Sequence, residues 1–162
     1  MIFNKSKLIV LSFTVILIAG ISTSAIIGKK KDEQYSINDD TYDQAEQAYE
    51  QGQLDLAIEY VTTLIKEDHT NEKLNTLAAN AAYDSGQFDL AAKHYQASLD
   101  RNPHNVEKPI FMLNLATSYF ESTNVERAKV IFEYLQQKNY TAPTMPNFQE
   151  VVNSYLEKLN EM

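Results

Sequence analysis

The chain has 162 residues, of which 44% are hydrophobic, with no cysteine and a formal net charge of −8. This composition supports a packed core and excludes disulfides, thiolate metal sites and a thiol nucleophile. All 22 acidic residues lie at or after Asp32, together with nine Lys and Arg, so this part carries a net charge of −13. Because nucleic-acid binding depends on neutralising phosphates with Lys and Arg, a nucleic-acid partner is not expected.

The N-terminal region contains one long apolar run, residues 8–28, with Lys5 and Lys7 before it and three lysines, residues 29–31, after it. About 20 such residues can cross a bilayer as a helix. A cleaved signal peptide is the alternative, but the run exceeds the usual apolar core of about 7–15 residues. We therefore predict a basic N-terminus (1–7), a transmembrane anchor (8–28) and a polar tether (29–38). The expected localisation is a single-pass membrane protein with a cytoplasmic N-terminus and an extracytoplasmic domain, the opposite orientation remaining open.

From residue 39 the chain contains an internal repeat. The hexapeptide Gly-Gln-Leu-Asp-Leu-Ala at residues 52–57 recurs 34 residues later, at 86–91, with Leu54 replaced by Phe88. Apolar residues at helical spacing precede and follow each glycine, and glycine ends a helix readily because it adopts the left-handed conformation without Cβ strain. A period of about 34 residues with two helical patterns predicts stacked helix-turn-helix units over residues 39–162.

A third unit is offset and matches less well. Ala128 lies 37 residues after Ala91 instead of 34, and Thr123 replaces the turn glycine. A last helix is predicted at about 147–160, with Asn147 as N-cap and Glu150 as its reciprocal capping residue. It is expected to cover the open end of the last unit. The predicted repeats span about 38–71, 72–105 and 109–140.

The run resembles the tetratricopeptide repeat family. The shared positions are small residues in the first helices, glycine at the turns, alanine opening the second helices and proline after a repeat: Ala45, Ala79, Ala116; Gly52, Gly86; Ala57, Ala91, Ala128; Pro103. The resemblance implies an all-α solenoid of about three repeats with a capping helix. Three departures, Gln44, Ala48 and His69, fall in the first unit, where terminal repeats are commonly atypical.

In that family the first helices line a groove that holds a peptide or a partner's helix. The resemblance places seven residues there: Tyr42, Glu46, Tyr49, Asn80, Tyr83, Thr117 and Phe120. The alternative is that the three aromatics in register, Tyr49, Tyr83 and Phe120, pack between repeats. Some members clamp a carboxylate with lysines and asparagines, but here only Asn80 matches. A basic or apolar partner is therefore expected instead of an acidic tail.

Catalysis is not expected. His69, His94 and His104 are scattered without metal-ligand spacing, no glycine-rich phosphate loop occurs, and no cofactor or metal is predicted. The sequence therefore predicts a non-catalytic scaffold or assembly factor tethered to a membrane, and the resemblance points to the bacterial envelope, with membrane or envelope proteins as partners. Two alternatives remain: a secreted or periplasmic chaperone-like adaptor with a cleaved signal, and a subunit of a membrane complex bound through its transmembrane helix and convex face. Homo-oligomers are possible.

Overall fold

The computed structural model describes residues 39–67 and 71–162. Residues Thr41–Met162 form one compact unit. The predicted basic N-terminus, anchor and tether, residues 1–38, lie outside the described residues, as does His69.

The described chain is built from α-helices joined by short connections. The helices are α1 (residues 39–50), α2 (Leu54–Glu67), α3 (Glu72–Asp84), α4 (Phe88–Arg101), α5 (Pro109–Glu121), α6 (Val125–Lys138) and α7 (Phe148–Glu161), with a 3-10 helix at Pro103–Glu107. A single β-bridge, Ala142 to Met145, lies in the α6–α7 loop. The prediction of an all-α fold of helical repeats is confirmed.

Three turns of the same geometry join the helix pairs. Gly52, Gly86 and Thr123 have φ of 72°, 75° and 64°, respectively. At each turn this residue and the next donate backbone hydrogen bonds to the end of the preceding helix: Gly52 N to Tyr49 O 2.9 Å and Gln53 N to Ala48 O 2.8 Å; Gly86 N to Tyr83 O 3.0 Å and Gln87 N to Ala82 O 2.8 Å; Thr123 N to Phe120 O 3.1 Å and Asn124 N to Tyr119 O 2.8 Å. This is the Schellman pattern. Thr123 thus holds a conformation that strains a β-branched residue.

The helices approach closely at small residues. The six alanines that carry the family resemblance have no exposed surface: Ala45, Ala57, Ala79, Ala91, Ala116 and Ala128. A side chain of one methyl group allows neighbouring helices to pack at the density of a protein interior. Larger side chains, such as Leu115 and Phe132, fill the space between them and are also fully buried.

The offset of the third unit lies in the α4–α5 connection. Four residues separate α2 from α3, whereas seven separate α4 from α5. The longer connection contains the 3-10 helix, which Pro103 opens after α4 ends at Arg101. Asn102 caps it by accepting a hydrogen bond from His104 N at 3.2 Å. The extra residues thus form structure of their own and leave the helix-turn-helix units intact.

Helix α7 covers the end of the last unit. Its Phe148 and Val152 are buried, and the ring of Tyr155 stacks on Phe132 of α6 with centroids 4.8 Å apart. The predicted capping pair does not form. Asn147 precedes the helix, but its side chain accepts no capping hydrogen bond. Burial of the apolar stripe, not the cap, is therefore what holds α7 in place.

The predicted localisation was wrong. Among residues 39–67 and 71–162 no helix is long and apolar enough to span a bilayer. The longest of these helices have 14 residues, which at 1.5 Å per residue gives about 21 Å against a hydrocarbon core of about 30 Å. The apolar residues 8–28, on which the single-pass assignment rested, lie outside the described residues. A membrane-spanning protein with an extracytoplasmic domain is therefore not supported.

Candidate functional site

The first helices of the three units, α1, α3 and α5, carry the seven predicted groove residues, and we call their shared surface the α1/α3/α5 face. Tyr42, Glu46 and Tyr49 lie on α1, Asn80 and Tyr83 on α3, and Thr117 and Phe120 on α5. Thr117 is buried and the other six are half-buried or exposed. The structure divides them into two groups with different surroundings.

One group lines an open cleft between α1, α3 and the start of α5, which we call the α1/α3 cleft. Its volume is about 320 Å³, and it is lined by Tyr42, Glu46, Glu72, Lys73, Thr76, Leu77, Asn80 and Lys108. Three of the seven predicted residues meet here. Glu72 and Lys108 were not predicted, although one begins α3 and the other lies in the long α4–α5 connection. The predicted start of α3 would have placed Glu72 near the groove. The position of Lys108, by contrast, depends on the packing of the 3-10 helix.

Carboxylates dominate the α1 side of this cleft. The Tyr42 hydroxyl donates a 2.8 Å hydrogen bond to Glu46 Oε1. Burial, this hydrogen bond and the charges of Glu46, Asp43 and Glu72 raise the pKa of Tyr42 to about 12. The phenol therefore stays neutral, as a donor, and the surrounding potential is negative.

Glu72 is held ionised by contacts within the second unit. Its Oε1 accepts hydrogen bonds from Asn105 Nδ2 at 2.9 Å, Thr76 Oγ1 at 3.3 Å and Ser98 Oγ at 3.4 Å. These bonds, that of Asn105 foremost, together with the charge of Lys108, outweigh burial and lower the pKa of Glu72. Because the donors come from α3, α4 and the 3-10 helix, this carboxylate also ties three elements together.

The aromatic candidates Tyr49 and Tyr83 are half-buried and contact neighbouring side chains. Tyr49 donates a 2.7 Å hydrogen bond to Asp84 Oδ2, and burial with that bond raises the pKa of Tyr49 to about 12. Tyr83 meets Phe88 edge-on at 5.8 Å and Tyr95 at 6.4 Å. The contact of Tyr49 with Asp84 joins the first and second units, whereas the ring contacts of Tyr83 lie within the second unit.

The C-terminal part of the face is closed by α7. The ring of Phe120 meets Tyr155 edge-on at 5.2 Å. Interaction with the Thr117 hydroxyl partly offsets the effect of burial in raising the pKa of Tyr83 and of Tyr155. We call this group, Tyr83, Thr117, Phe120 and Tyr155, the aromatic end.

A buried tyrosine connects two asparagines on the face. The Tyr95 hydroxyl, on α4, donates a 2.7 Å hydrogen bond to Asn80 Oδ1 and accepts a 3.1 Å bond from Asn114 Nδ2. Tyr95 has no exposed surface, whereas both asparagines are half-buried. Asn114 was not predicted as a site residue. The predicted residues of α5 were the equivalents of Glu46 and Tyr49, namely Thr117 and Phe120, and Asn114 lies one turn before Thr117.

The histidines have separate structural settings. His94 is buried, and its Nδ1 lies 3.0 Å from Asn75 Oδ1. Burial, with a smaller contribution from Lys93, lowers the pKa of His94. His104 is exposed on the 3-10 helix, 4.0 Å from Glu107 Oε1. Within the described ranges no group of three or more His, Cys, Asp and Glu side chains could hold a metal ion.

Comparison with known proteins supports the same repeat. Residues 76–139 match a family model described as tetratricopeptide repeat, and no curated protein matches the chain significantly. Solved structures are similar over three quarters of its length. The fold is tetratricopeptide-like.

Three of those structures contain bound peptides or partner segments. The Yersinia enterocolitica type III secretion chaperone SycD, in complex with a peptide of the translocator YopD, is 20% identical, with 76% of this chain and 92% of that chain covered and a TM-score of 0.58. PcrH in complex with the chaperone-binding region of PopD is 15% identical, with 76% and 90% covered and a TM-score of 0.58. The first tetratricopeptide domain of Spaghetti (RPAP3), bound to the HSP90 peptide SRMEEVD, is 18% identical, with 76% and 90% covered and a TM-score of 0.57.

Proposed function

We propose that this protein is a non-catalytic binding module, a scaffold or chaperone-like adaptor that holds a peptide segment of a partner protein on its α1/α3/α5 face. The observation that carries the proposal is the α1/α3 cleft, where Tyr42, Glu46 and Asn80 line about 320 Å³ of open space. Open clefts with a few convergent polar groups are the usual form of binding sites. Peptide complexes of SycD, PcrH and RPAP3, which share the fold, add support.

The charge of the folded region favours a partner segment that is not acidic. The cleft itself is lined by two carboxylates, Glu46 and Glu72, and by two lysines, Lys73 and Lys108, so its formal charges balance. The residues from Asp32 onward carry a net charge of −13, and an acidic segment approaching them would meet like charges, which lowers affinity and slows association. The proposed segment is therefore apolar or basic.

The test uses two probes on the full-length chain. A phage-displayed library of random 12-residue peptides is selected on the immobilised protein, and the best peptide is measured by fluorescence anisotropy beside SRMEEVD. We expect the selected peptide to bind at least about tenfold more tightly than SRMEEVD, because repulsion of about 1–2 kcal/mol is enough for that ratio.

Variants then locate the site. Tyr42→Ala combined with Glu46→Ala, both at the edge of the cleft, should weaken the selected peptide while far-ultraviolet circular dichroism stays unchanged. Lys129→Ala, on exposed α6, is the matched control. The proposal fails if no peptide is selected, or if binding is lost instead on Val130→Asp. That residue is 66% exposed beside a separate apolar cleft of about 420 Å³ between α4 and α6.

A further inference from the structure

We infer that a second docking site lies between α4 and α6, and that it binds the apolar face of a partner's amphipathic helix flanked by Lys or Arg. We call it the α4/α6 cleft. It has a volume of about 420 Å³, and its apolar walls include Leu99, Met112, Val130 and Ile131. Among the described residues it has no lining residue in common with the α1/α3 cleft. The inference therefore goes beyond the proposed function, and either can fail without the other.

The first observation is an exposed valine at a position that is charged in the other two units. Val130 is 66% exposed, and within the helices that the structure describes no other large apolar side chain is exposed. Counted from the turn residue of each unit, its equivalents in α2 and α4 are Glu59 and Lys93, which are both exposed. A single exposed apolar side chain needs no explanation, but one that borders an apolar cleft belongs to an interaction surface. Val130 is of the second kind, because it lines the cleft together with Leu99 and Ile131.

The walls of the cleft favour a helix over an extended segment. The surface that they present is almost entirely apolar, and two of the polar side chains are already paired. The Tyr119 hydroxyl donates a 2.9 Å hydrogen bond to Gln96 Oε1 and accepts one of 3.0 Å from Arg127 Nη1. An extended segment would place its main-chain N–H and C=O groups against a surface that cannot pair them, whereas a helix pairs them internally. A groove of this kind accommodates apolar anchors at positions i, i+3 or i+4, and i+7 of a helix.

The charges around the cleft favour basic residues beside the apolar face of that helix. A polar cleft of about 370 Å³ adjoins the α4/α6 cleft and shares three lining residues with it. Three carboxylates and two cations line the pair of clefts: Asp89, Asp100, Glu126; Lys93, Arg127. One of the cations, Arg127, lies over the Tyr119 ring, 5.4 Å from its centroid. Carboxylates are in excess here, as they are over residues 32–162 with their net charge of −13, and they attract a basic helix.

The experiment selects helices on the immobilised full-length protein. The probe is a phage-displayed library on one Ala-rich helical scaffold of about 18 residues, which is long enough to hold helical structure. Positions i, i+3, i+4 and i+7 vary among apolar residues, and the flanking positions vary among Lys, Glu and Ala. We expect Lys to be enriched at the flanking positions. The selected peptide should also gain helical circular dichroism when it binds.

Variants locate the selected peptide. Val130→Asp should weaken its binding at least about tenfold, because an apolar anchor is lost and a carboxylate faces apolar side chains. Gln47→Asp is the matched control, since it makes the same change of charge at an exposed position of α1 outside both clefts, and it should leave affinity unchanged. Glu126→Lys should weaken binding about two- to fivefold and abolish the enrichment of Lys when the selection is repeated. All three positions are exposed, so far-ultraviolet circular dichroism of the protein should not change.

The inference is overturned if no selected helix loses affinity on Val130→Asp, or if Lys is not enriched. It is also overturned if sedimentation equilibrium shows a dimer of the wild-type chain that Val130→Asp dissociates, because a second copy then occupies the cleft. Tyr42→Ala combined with Glu46→Ala should leave the helix bound. If that variant releases the helix instead, the helix lies in the α1/α3 cleft, and this inference fails while the proposed function stands.

Discussion

The two ends of the α1/α3/α5 face differ in what covers them. At the α1/α3 cleft, Tyr42, Glu46 and Asn80 border open space. At the aromatic end, Thr117 and Phe120 are already in contact with Tyr155 of α7. A further helix packs on each unit, α3 on the first, α5 on the second and α7 on the third. The same helical positions of successive units nevertheless have different roles, because α7 places an aromatic ring, Tyr155, against Phe120. Equivalent positions in a repeat indicate shared geometry, and the neighbouring element decides whether the surface remains available.

The largest expected effect is at the aromatic end. Tyr155→Ala removes the stack on Phe132 and the edge contact with Phe120. We expect a loss of about 2–3 kcal/mol in the free energy of unfolding, below the about 3–5 kcal/mol of a fully buried ring because Tyr155 is half-buried. Urea unfolding of the full chain measures it.

The same variant tests the independence of the two ends. Since the α1/α3 cleft has no lining residue from α7, affinity for the selected peptide should stay within about twofold, as expected for separate sites. A larger loss of affinity with the fold intact would place the peptide on the aromatic end instead.

A smaller effect is expected in the cleft. Glu72→Gln keeps the shape of the side chain but weakens its hydrogen bonds with Asn105, Thr76 and Ser98. Because the half-buried group keeps some contact with solvent, we expect a loss of only about 1 kcal/mol, measured by urea unfolding at pH 7.

The contribution of Glu72 to the free energy of unfolding should depend on pH in a definite direction. Native contacts hold the pKa of Glu72 below its ordinary value of 4.5, so the unfolded chain binds the proton more readily. The contribution is present above the unfolded pKa and is lost as pH falls through the lower folded pKa. The difference in stability between wild type and Glu72→Gln should therefore shrink as pH falls below 4.5. A difference that is constant with pH would contradict this account.

The smallest effect concerns the turns beneath the two ends. Thr123, in the unit of the aromatic end, has the left-handed φ that Gly52 and Gly86 have in the other two. Thr123→Gly should raise the free energy of unfolding by about 0.5–1 kcal/mol, since relief of strain exceeds the added entropy of the unfolded chain.

Gly86→Ala is the matched change. No atom lies within 4 Å of an added Cβ there, so its expected cost of about 1 kcal/mol comes from backbone conformation alone. Thermal unfolding of both variants measures whether Thr123→Gly stabilises the fold and Gly86→Ala destabilises it. If Thr123→Gly destabilises the protein instead, the contacts of the threonine side chain contribute more stability than its left-handed backbone conformation costs.

Local signals in the sequence predicted much of the fold. The repeated Gly-Gln-x-Asp-Leu-Ala motif predicted the turns at Gly52 and Gly86, because a left-handed helix end follows directly from the absence of Cβ. Thr123 weakened the prediction for the third unit, yet the turn forms there because packing of α5 on α6 outweighs a strain of about 1–2 kcal/mol. The predicted membrane-spanning localisation was wrong, since no helix among residues 39–67 and 71–162 could cross a bilayer, and the apolar run on which it rested lies outside these residues.

By itself the sequence determined the helical period and the turn positions, since these depend on contacts between residues near in the chain. Only the tertiary structure decided which part of the face is open. Tyr155 reaches Phe120, Asn105 reaches Glu72, and Tyr95 joins Asn80 to Asn114. These contacts join residues 15 to 35 positions apart, and they depend on how helices stack, which no local pattern encodes.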